Sequence, residues 1–284
     1  MSSSNSIALS LKEYGRGIIG GLLFSLPMLY TMELWWAGFL SSPSRLLIYL
    51  LVGIFLLMVY NHYVGLRNDG SLFEGFMESL EEMGLGILLT VLILYITGRI
   101  SPGMSLSEIS GKIIVEAVTV AIGISVGKSQ LGGSKDDNDD ENPKDKKHKN
   151  SHYHLIRSIN LALCGSILVA SNVAPTEEII QIALESGIFK VLIVSLLSFA
   201  MGGAILYHIN FKGAKEWVME PDSNWDVLAG TIIMYSVALV SSTFMLWFFG
   251  RFEGLPLSGI IAQIVVLGFP ATLGASAGRL LIQS

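Results

Sequence analysis

The chain has 284 residues, of which 51% are hydrophobic and only 14% are charged, and its mean hydropathy is positive. This composition lies outside the range of ordinary soluble domains and indicates that the protein is solvated by a lipid bilayer. The formal net charge of -5 owes much to five acids packed into Asp136–Glu141, outside any apolar stretch, so it indicates no nucleic-acid partner. A single cysteine, Cys164, excludes an intrachain disulfide and a thiolate metal cluster.

Eight apolar stretches are each long enough to cross a hydrocarbon core of ~30 Å as a helix. In chain order they cover residues 17–39, 45–65, 76–98, 107–127, 156–175, 188–208, 226–250 and 257–281. Because lipid offers no partner to unpaired backbone groups, and because these runs do not alternate with period two, helices are expected rather than a barrel. The sequence therefore predicts an all-α, polytopic membrane protein of about eight transmembrane helices.

The second half of the chain repeats the first. At an offset of 151, eight identical pairs fall within 23 residues, from Leu106 with Leu257 to Gly127 with Gly278. At an offset of 152, the pair Gly98-Arg99 meets Gly250-Arg251. Each half holds an even number of predicted spans, so both halves share one orientation. We predict two parallel four-helix repeats, residues 1–128 and 153–284.

The segment between the repeats, residues 129–152, is hydrophilic and rich in Asp, Asn and Lys. It cannot form a core, so we predict a disordered linker there. Under the eight-helix topology, thirteen Lys and Arg residues fall on the side of the linker and both termini, and four fall on the other side. This bias predicts that the linker and both termini are cytoplasmic, with the protein in the bacterial inner membrane.

Acidic residues at repeat-equivalent positions form the first candidate site. Glu33 and Glu178 match at an offset of 145, as do Thr31 and Thr176, and Glu177 precedes Glu178. Pro27 and Pro175 lie nearby and interrupt helical hydrogen bonding, and a broken helix beside acids is a common way to bind a cation. Alternatively, these acids occupy the first turns of short interfacial helices, where the helix dipole favours them.

Charged residues inside the predicted spans form the second candidate site, because such residues are costly in a membrane. Lys112 and Glu116 are one turn apart on the fourth span and could form an ion pair, either as a structural pair or as part of a proton relay. Glu78 and Glu82 lie on one stripe of the third span with Glu74 and Glu81. That stripe is either a negatively charged vestibule for cations or the wetted face of a helix that enters the membrane.

No phosphate-binding loop, metalloprotease helix or nucleophile elbow occurs in the chain, so we expect neither enzymatic activity nor a cofactor. The predicted partners are the lipid bilayer, a small cation or proton, and a second copy of the chain in a homo-oligomer. The leading hypothesis is a cation or proton-coupled transporter or channel with an acidic site between the repeats. Its alternative is a non-transporting membrane scaffold or sensor that acts through the linker.

The segments Leu23–Pro27, Thr31–Trp36 and Ala174–Glu178 resemble those of a family of bacterial integral membrane proteins without an assigned activity. The resemblance covers most of the chain outside the linker. It implies a location in the bacterial inner membrane, and it supplies no substrate.

Overall fold

A computed structural model of the chain describes residues 14–23, 31–63, 72–130, 151–208 and 224–280. These residues contain ten helices and no strand, so the predicted all-α class is confirmed. The helices of the first half are α1 (14–23), α2 (Met32–Leu40), α3 (Pro43–Tyr63), α4 (Leu72–Ile96) and α5 (Leu106–Gln130). Those of the second half are α6 (Ser151–Val173), α7 (Glu177–Glu185), α8 (Ile188–His208), α9 (Asn224–Phe248) and α10 (Leu257–Leu280).

Seven helices among the described residues are long and apolar enough to cross a membrane. They are α3, α4, α5, α6, α8, α9 and α10, and they correspond to seven of the eight predicted spans. The remaining predicted span, residues 17–39, is interrupted at Thr31, and its crossing of the membrane stays a prediction. Thr31 has an extended backbone, with φ of -94° and ψ of 115°, and the separate nine-residue helix α2 begins immediately after it.

The order and lengths of the helices recur between the halves. Both α2 and α7 have 9 residues, α3 and α8 have 21, and α4 and α9 have 25. Helix α7 begins at residue 177, which is 145 after the start of α2 at residue 32, the offset that also aligns Glu33 with Glu178. The parallel arrangement of two repeats and the domain division at the linker stay predictions. Residues 131–150 of the predicted linker lie outside the described residues, and its outermost residues belong to the ends of α5 and α6.

Helices α4 and α9 end in the same way, at the repeat-equivalent pairs found in the sequence. Gly98 and Gly250 have φ of 70° and 69°, a left-handed conformation that costs a residue with a β-carbon about 1–2 kcal/mol. The next amide, of Arg99 or Arg251, returns to the carbonyl of Leu94 or Leu246 at 2.7 and 2.9 Å. This hydrogen bond closes each helix and places the arginine beside the short helix of its own half.

Close glycine contacts join the first and last helices of each half. A β-carbon at Gly20 would lie 2.7 Å from the Gly123 carbonyl oxygen, so α1 and α5 cross with almost no side chain between them. In the second half, a β-carbon on Gly274 of α10 would collide with the Gly165 carbonyl of α6. Small residues allow such backbone contact in membranes, where helix association depends on packing rather than on the hydrophobic effect.

The two halves meet mainly where α3 and α5 pack against α6. The Asn160 amide on α6 donates to the Leu56 carbonyl on α3 at 3.5 Å. Farther along α3, the Tyr49 ring stacks on Phe248 of α9 with centroids 4.1 Å apart, and Arg45 forms an ion pair with Glu253. The core of the bundle therefore lies around α3, α5, α6 and α10, and α8 is the most exposed of the candidate spans.

Candidate functional site

Four charged residues are buried among the described residues, and all four lie in α4 and α5. Their exposed fractions are 1% for Glu82, 6% for Lys112, 1% for Glu116 and 4% for Lys128. The buried polar residues described in the second half are neutral. Burying an ionisable group inside a membrane protein costs free energy, so these four residues are the strongest candidates for a functional site.

Glu116 lies about 15 Å along α5 from its first residue, near the middle of a span. Neither carboxyl oxygen has a hydrogen-bond partner among the described residues. The structure therefore differs from the predicted Lys112–Glu116 ion pair. The Lys112 ammonium instead donates to Glu108 at 2.9 Å and to the Arg99 carbonyl at 3.3 Å, both toward the start of α5. Glu108 can compete because it lies one turn away on the other side of Lys112.

Lys112 lies where the short helix α2 crosses α5. A β-carbon on Gly38 of α2 would stand 2.7 Å from the Lys112 backbone nitrogen, so the two helices are nearly in backbone contact. The long Lys112 side chain extends toward Glu108 and Arg99. Glu116 is left within electrostatic range of Lys112 but without a direct contact to it.

Glu82 is not on a wetted face, which corrects that prediction for this residue. Its carboxylate lies 3.4 Å from the Lys128 ammonium and accepts a hydrogen bond of 2.8 Å from the Asn61 amide. The Ser125 hydroxyl donates to the Asn61 side-chain carbonyl oxygen at 2.8 Å. Helices α3, α4 and α5 therefore share one buried polar cluster. Glu78, one turn earlier on α4, is half-buried, and the stripe becomes exposed only at Glu74 and Glu81.

The acids of the first candidate site lie at the starts of the two short helices, α2 and α7. Glu33 is in the first turn of α2, and Glu177 and Glu178 form the first turn of α7. Thr31 and Thr176 are the N-cap residues, and neither side chain caps its helix. The Thr176 hydroxyl donates instead to the Val173 carbonyl at 2.8 Å. This geometry is that of acids favoured by a helix dipole, the structural alternative considered for them.

Arg251 brings two of these acids into one electrostatic environment. Its guanidinium donates to the Pro175 carbonyl and lies within range of Glu177 in the second half and Glu33 in the first. Burial lowers the pKa of Arg251, while the charges of Glu177 and then Glu33 act in the opposite direction. A cation bound between Glu33 and Glu177 would have to share them with this guanidinium.

The described residues contain no cluster of three or more His, Cys, Asp or Glu side chains that could hold a metal ion. Sequence reasoning missed Asn61, Ser125 and Glu108, the direct partners of the buried charges. A polar residue inside an apolar run was the available signal for Asn61 and Ser125, since an amide or hydroxyl in a membrane span needs a partner.

Seven apolar helices of membrane-crossing length, with ionisable side chains buried among them, define an integral, multi-pass, α-helical membrane protein that lies in the lipid bilayer. A family model described as "Putative integral membrane protein (DUF2391)" matches residues 13–282, so the chain belongs to that family. The family resemblance noted in the sequence is thereby confirmed. No curated protein and no solved structure matches the chain.

Proposed function

We propose that the protein moves protons or another small cation across the membrane, and that Glu116 is the group that binds the ion within the apolar interior. The observation that carries this proposal is the burial of the Glu116 carboxyl, 1% exposed, without a hydrogen-bond partner among the described residues. We further propose that the protein is not an enzyme.

A carboxylate in this position is unstable as a bare anion. Its charge loses hydration on burial, and the nearest ammonium, that of Lys112, is held by Glu108. The group can be stabilised by a bound proton or by a cation that arrives from outside. Binding and release of that ion changes the charge at the middle of α5, which is what a transport step requires.

The fold itself does not require an acid here. The residue that corresponds to Glu116 in the second half, at the offset of 151, is Leu267, and it is fully buried in α10. A leucine therefore completes the packing in an equivalent helix. The presence of a costly carboxyl in α5 supports a chemical role for it rather than a packing role.

The acids near the outer ends of the halves supply an entry to this group. We propose that Glu33, Glu177 and Glu178, with Thr31 and Thr176, attract the cation from the extracytoplasmic side, and that Arg251 limits how long it stays there. Both termini are then cytoplasmic, and the membrane is the bacterial inner membrane, as the distribution of Lys and Arg favours.

Flux through purified protein in liposomes tests the proposal. We would impose gradients of protons, sodium and potassium in turn and record the flux with ion-sensitive dyes. Glu116→Gln removes the charge at constant size, and Glu116→Leu reproduces the residue of the second half. Both variants should lose at least tenfold in flux, since a residue that carries the ion cannot be bypassed.

Glu185→Gln is the matched control, because Glu185 is an exposed acid at the end of α7 and belongs to no candidate site. It should retain full flux. If the wild-type protein moves none of the three ions, or if both Glu116 variants move them at the wild-type rate, the proposal is wrong. The scaffold or sensor hypothesis, which acts through the linker, would then be preferred.

A further inference from the structure

The cluster around Glu82 and Lys128 lies near the end of the bundle at which α5 leads into the predicted linker. Two features distinguish it from an ordinary structural ion pair. The ammonium stands 3.4 Å from the carboxylate, whereas a charge-assisted hydrogen bond is usually about 2.7–2.9 Å. The shorter contact to Glu82, 2.8 Å, comes from the neutral Asn61 amide.

The second half of the chain has no acid at the position equivalent to Glu82, although Arg279 corresponds to Lys128 at the offset of 151. Met234, at the offset of 152 from Glu82, is an apolar core residue that is 2% exposed. A buried ion pair contributes little net stability compared with well-packed apolar residues of similar volume. The first half therefore retains a buried acid that its counterpart omits, and packing alone does not explain it.

Several other charged and titratable groups lie near Glu82. Lys128 on α5 is the directly paired cation, and Glu78 on α4 lies within electrostatic range, as do Tyr60 on α3 and Cys164 on α6. Arg157 on α6 lies within range of Tyr60, and the Tyr14 ring of α1 stands 5.9 Å from the Lys128 ammonium. His62 of α3 lies beside Gly75 at the start of α4.

Glu82 and Glu116 lie on opposite sides of one contact between α4 and α5. Gly86 of α4 packs against Ala117 and Ala121 of α5. A β-carbon added at Gly86 would lie 2.9 Å from the Ala117 carbonyl oxygen. Glu82 lies one turn from Gly86 toward the linker end, and Glu116 lies on the opposite side of the contact. From the rise of a helix, the backbone positions of the two residues are separated by about 10 Å along the bundle axis.

We infer that Glu82 is a second proton-binding site, on the linker side of Glu116, with Lys128 as a built-in cation that is released when the proton binds. A hydronium ion transfers its proton to the Glu82 carboxylate and leaves as water, so the carboxyl becomes neutral. The ammonium keeps its charge and turns toward the half-buried Glu78. This inference rests on the proposed function, because it assigns the inner end of the same path.

Infrared difference spectroscopy on the purified full-length chain tests the inference without measuring transport. Acidification should produce the carbonyl band of a protonated carboxyl, and Glu82→Gln should remove it. Glu185→Gln should leave the band of Glu82 unchanged, because that acid is exposed. Glu116→Gln should remove a different band if Glu116 also titrates.

Lys128→Gln adds a readout that a structural role would not produce. Without the paired ammonium, Glu82 should take up its proton at a higher pH, because an opposite charge nearby favours the ionised form. If Glu82→Gln does not fold because Lys128 is left buried without its counter-charge, the neutral double variant Glu82→Gln/Lys128→Gln replaces it. That variant should fold and lack the band.

An unchanged band in both Glu82→Gln and the double variant would mean that the pair stays ionised, and the inference would be overturned. The same conclusion would follow if Lys128→Gln left the midpoint of the band where it is in the wild type. A Glu82 band together with normal flux through the Glu116 variants would support this site while contradicting the proposed function. The two failures are therefore distinguishable.

Discussion

Helices α5 and α10 occupy the same place in the order of their halves, yet their buried positions differ in charge. Lys112 and Glu116 of α5 correspond in sequence to Gln263 and Leu267 of α10, and all four residues are buried. Helices α4 and α9 show the same contrast between Glu82 and Met234. Neutral side chains suffice to pack one bundle, so the charges of the other can be changed without losing the framework, provided that no buried charge is left alone.

The largest effect is expected when the buried pair of the first half is broken. Lys128→Met leaves the Glu82 carboxylate without its counter-charge and should lower the free energy of unfolding by about 3–5 kcal/mol. The loss should be greater in alkaline than in acidic buffer, since a protonated Glu82 needs no partner. Unfolding in detergent at several pH values measures it.

The double variant Glu82→Met/Lys128→Met controls for this effect, because it removes both charges of the pair together and places at position 82 the methionine that the second half has at position 234. It should recover most of the stability. A double variant as unstable as Lys128→Met would show that the two bundles do not tolerate the same packing.

Exchange of the residues at positions 116 and 267 should produce effects of opposite sign. Glu116→Leu removes a buried group that has no hydrogen-bond partner among the described residues and should stabilise the protein by about 1–3 kcal/mol. Leu267→Glu introduces an acid into the middle of α10 and should destabilise it by about 2.5–3.5 kcal/mol. Thermal unfolding of the two variants in the same detergent checks both signs, and destabilisation by Glu116→Leu would show that the carboxyl has a stabilising partner.

The smallest effect concerns a feature that the halves share. Gly98→Ala and Gly250→Ala should each cost about 1 kcal/mol or slightly more, because both residues have positive φ. Gly84→Ala, inside α4 with open space around it, should instead stabilise by up to about 1 kcal/mol. Denaturant unfolding measures all three, and a gain in stability in Gly98→Ala like that in Gly84→Ala would contradict the argument from positive φ.

The sequence predicted the helices well wherever a long apolar run and a terminal glycine agreed. The Gly98-Arg99 and Gly250-Arg251 pairs marked real helix ends, because only glycine adopts the required conformation cheaply. The first span is interrupted for a local reason. Hydropathy over residues 17–39 reports how apolar a segment is, and it does not report that the backbone turns at Thr31 before α2 begins.

Partners of the buried charges were harder to predict than the charges themselves. Spacing of three or four residues allows Lys112 to reach Glu108 or Glu116, and no local pattern decides between them. Glu82 was grouped with Glu74 and Glu81 by periodicity. Its pairing with Lys128 and Asn61 joins α3, α4 and α5, so it depends on tertiary packing.

The position of α6 has a consequence for how the protein is made. This helix packs against α3 and α5 of the first half and against α9 and α10 of the second, and it is the least apolar of the seven candidate spans. When α6 leaves the ribosome, α3 and α5 are already available, but α9 and α10 have not yet been synthesised. We therefore expect this weakly hydrophobic helix to be held in the membrane first by its contact with α3 and α5, and then to offer the surface on which α9 and α10 assemble.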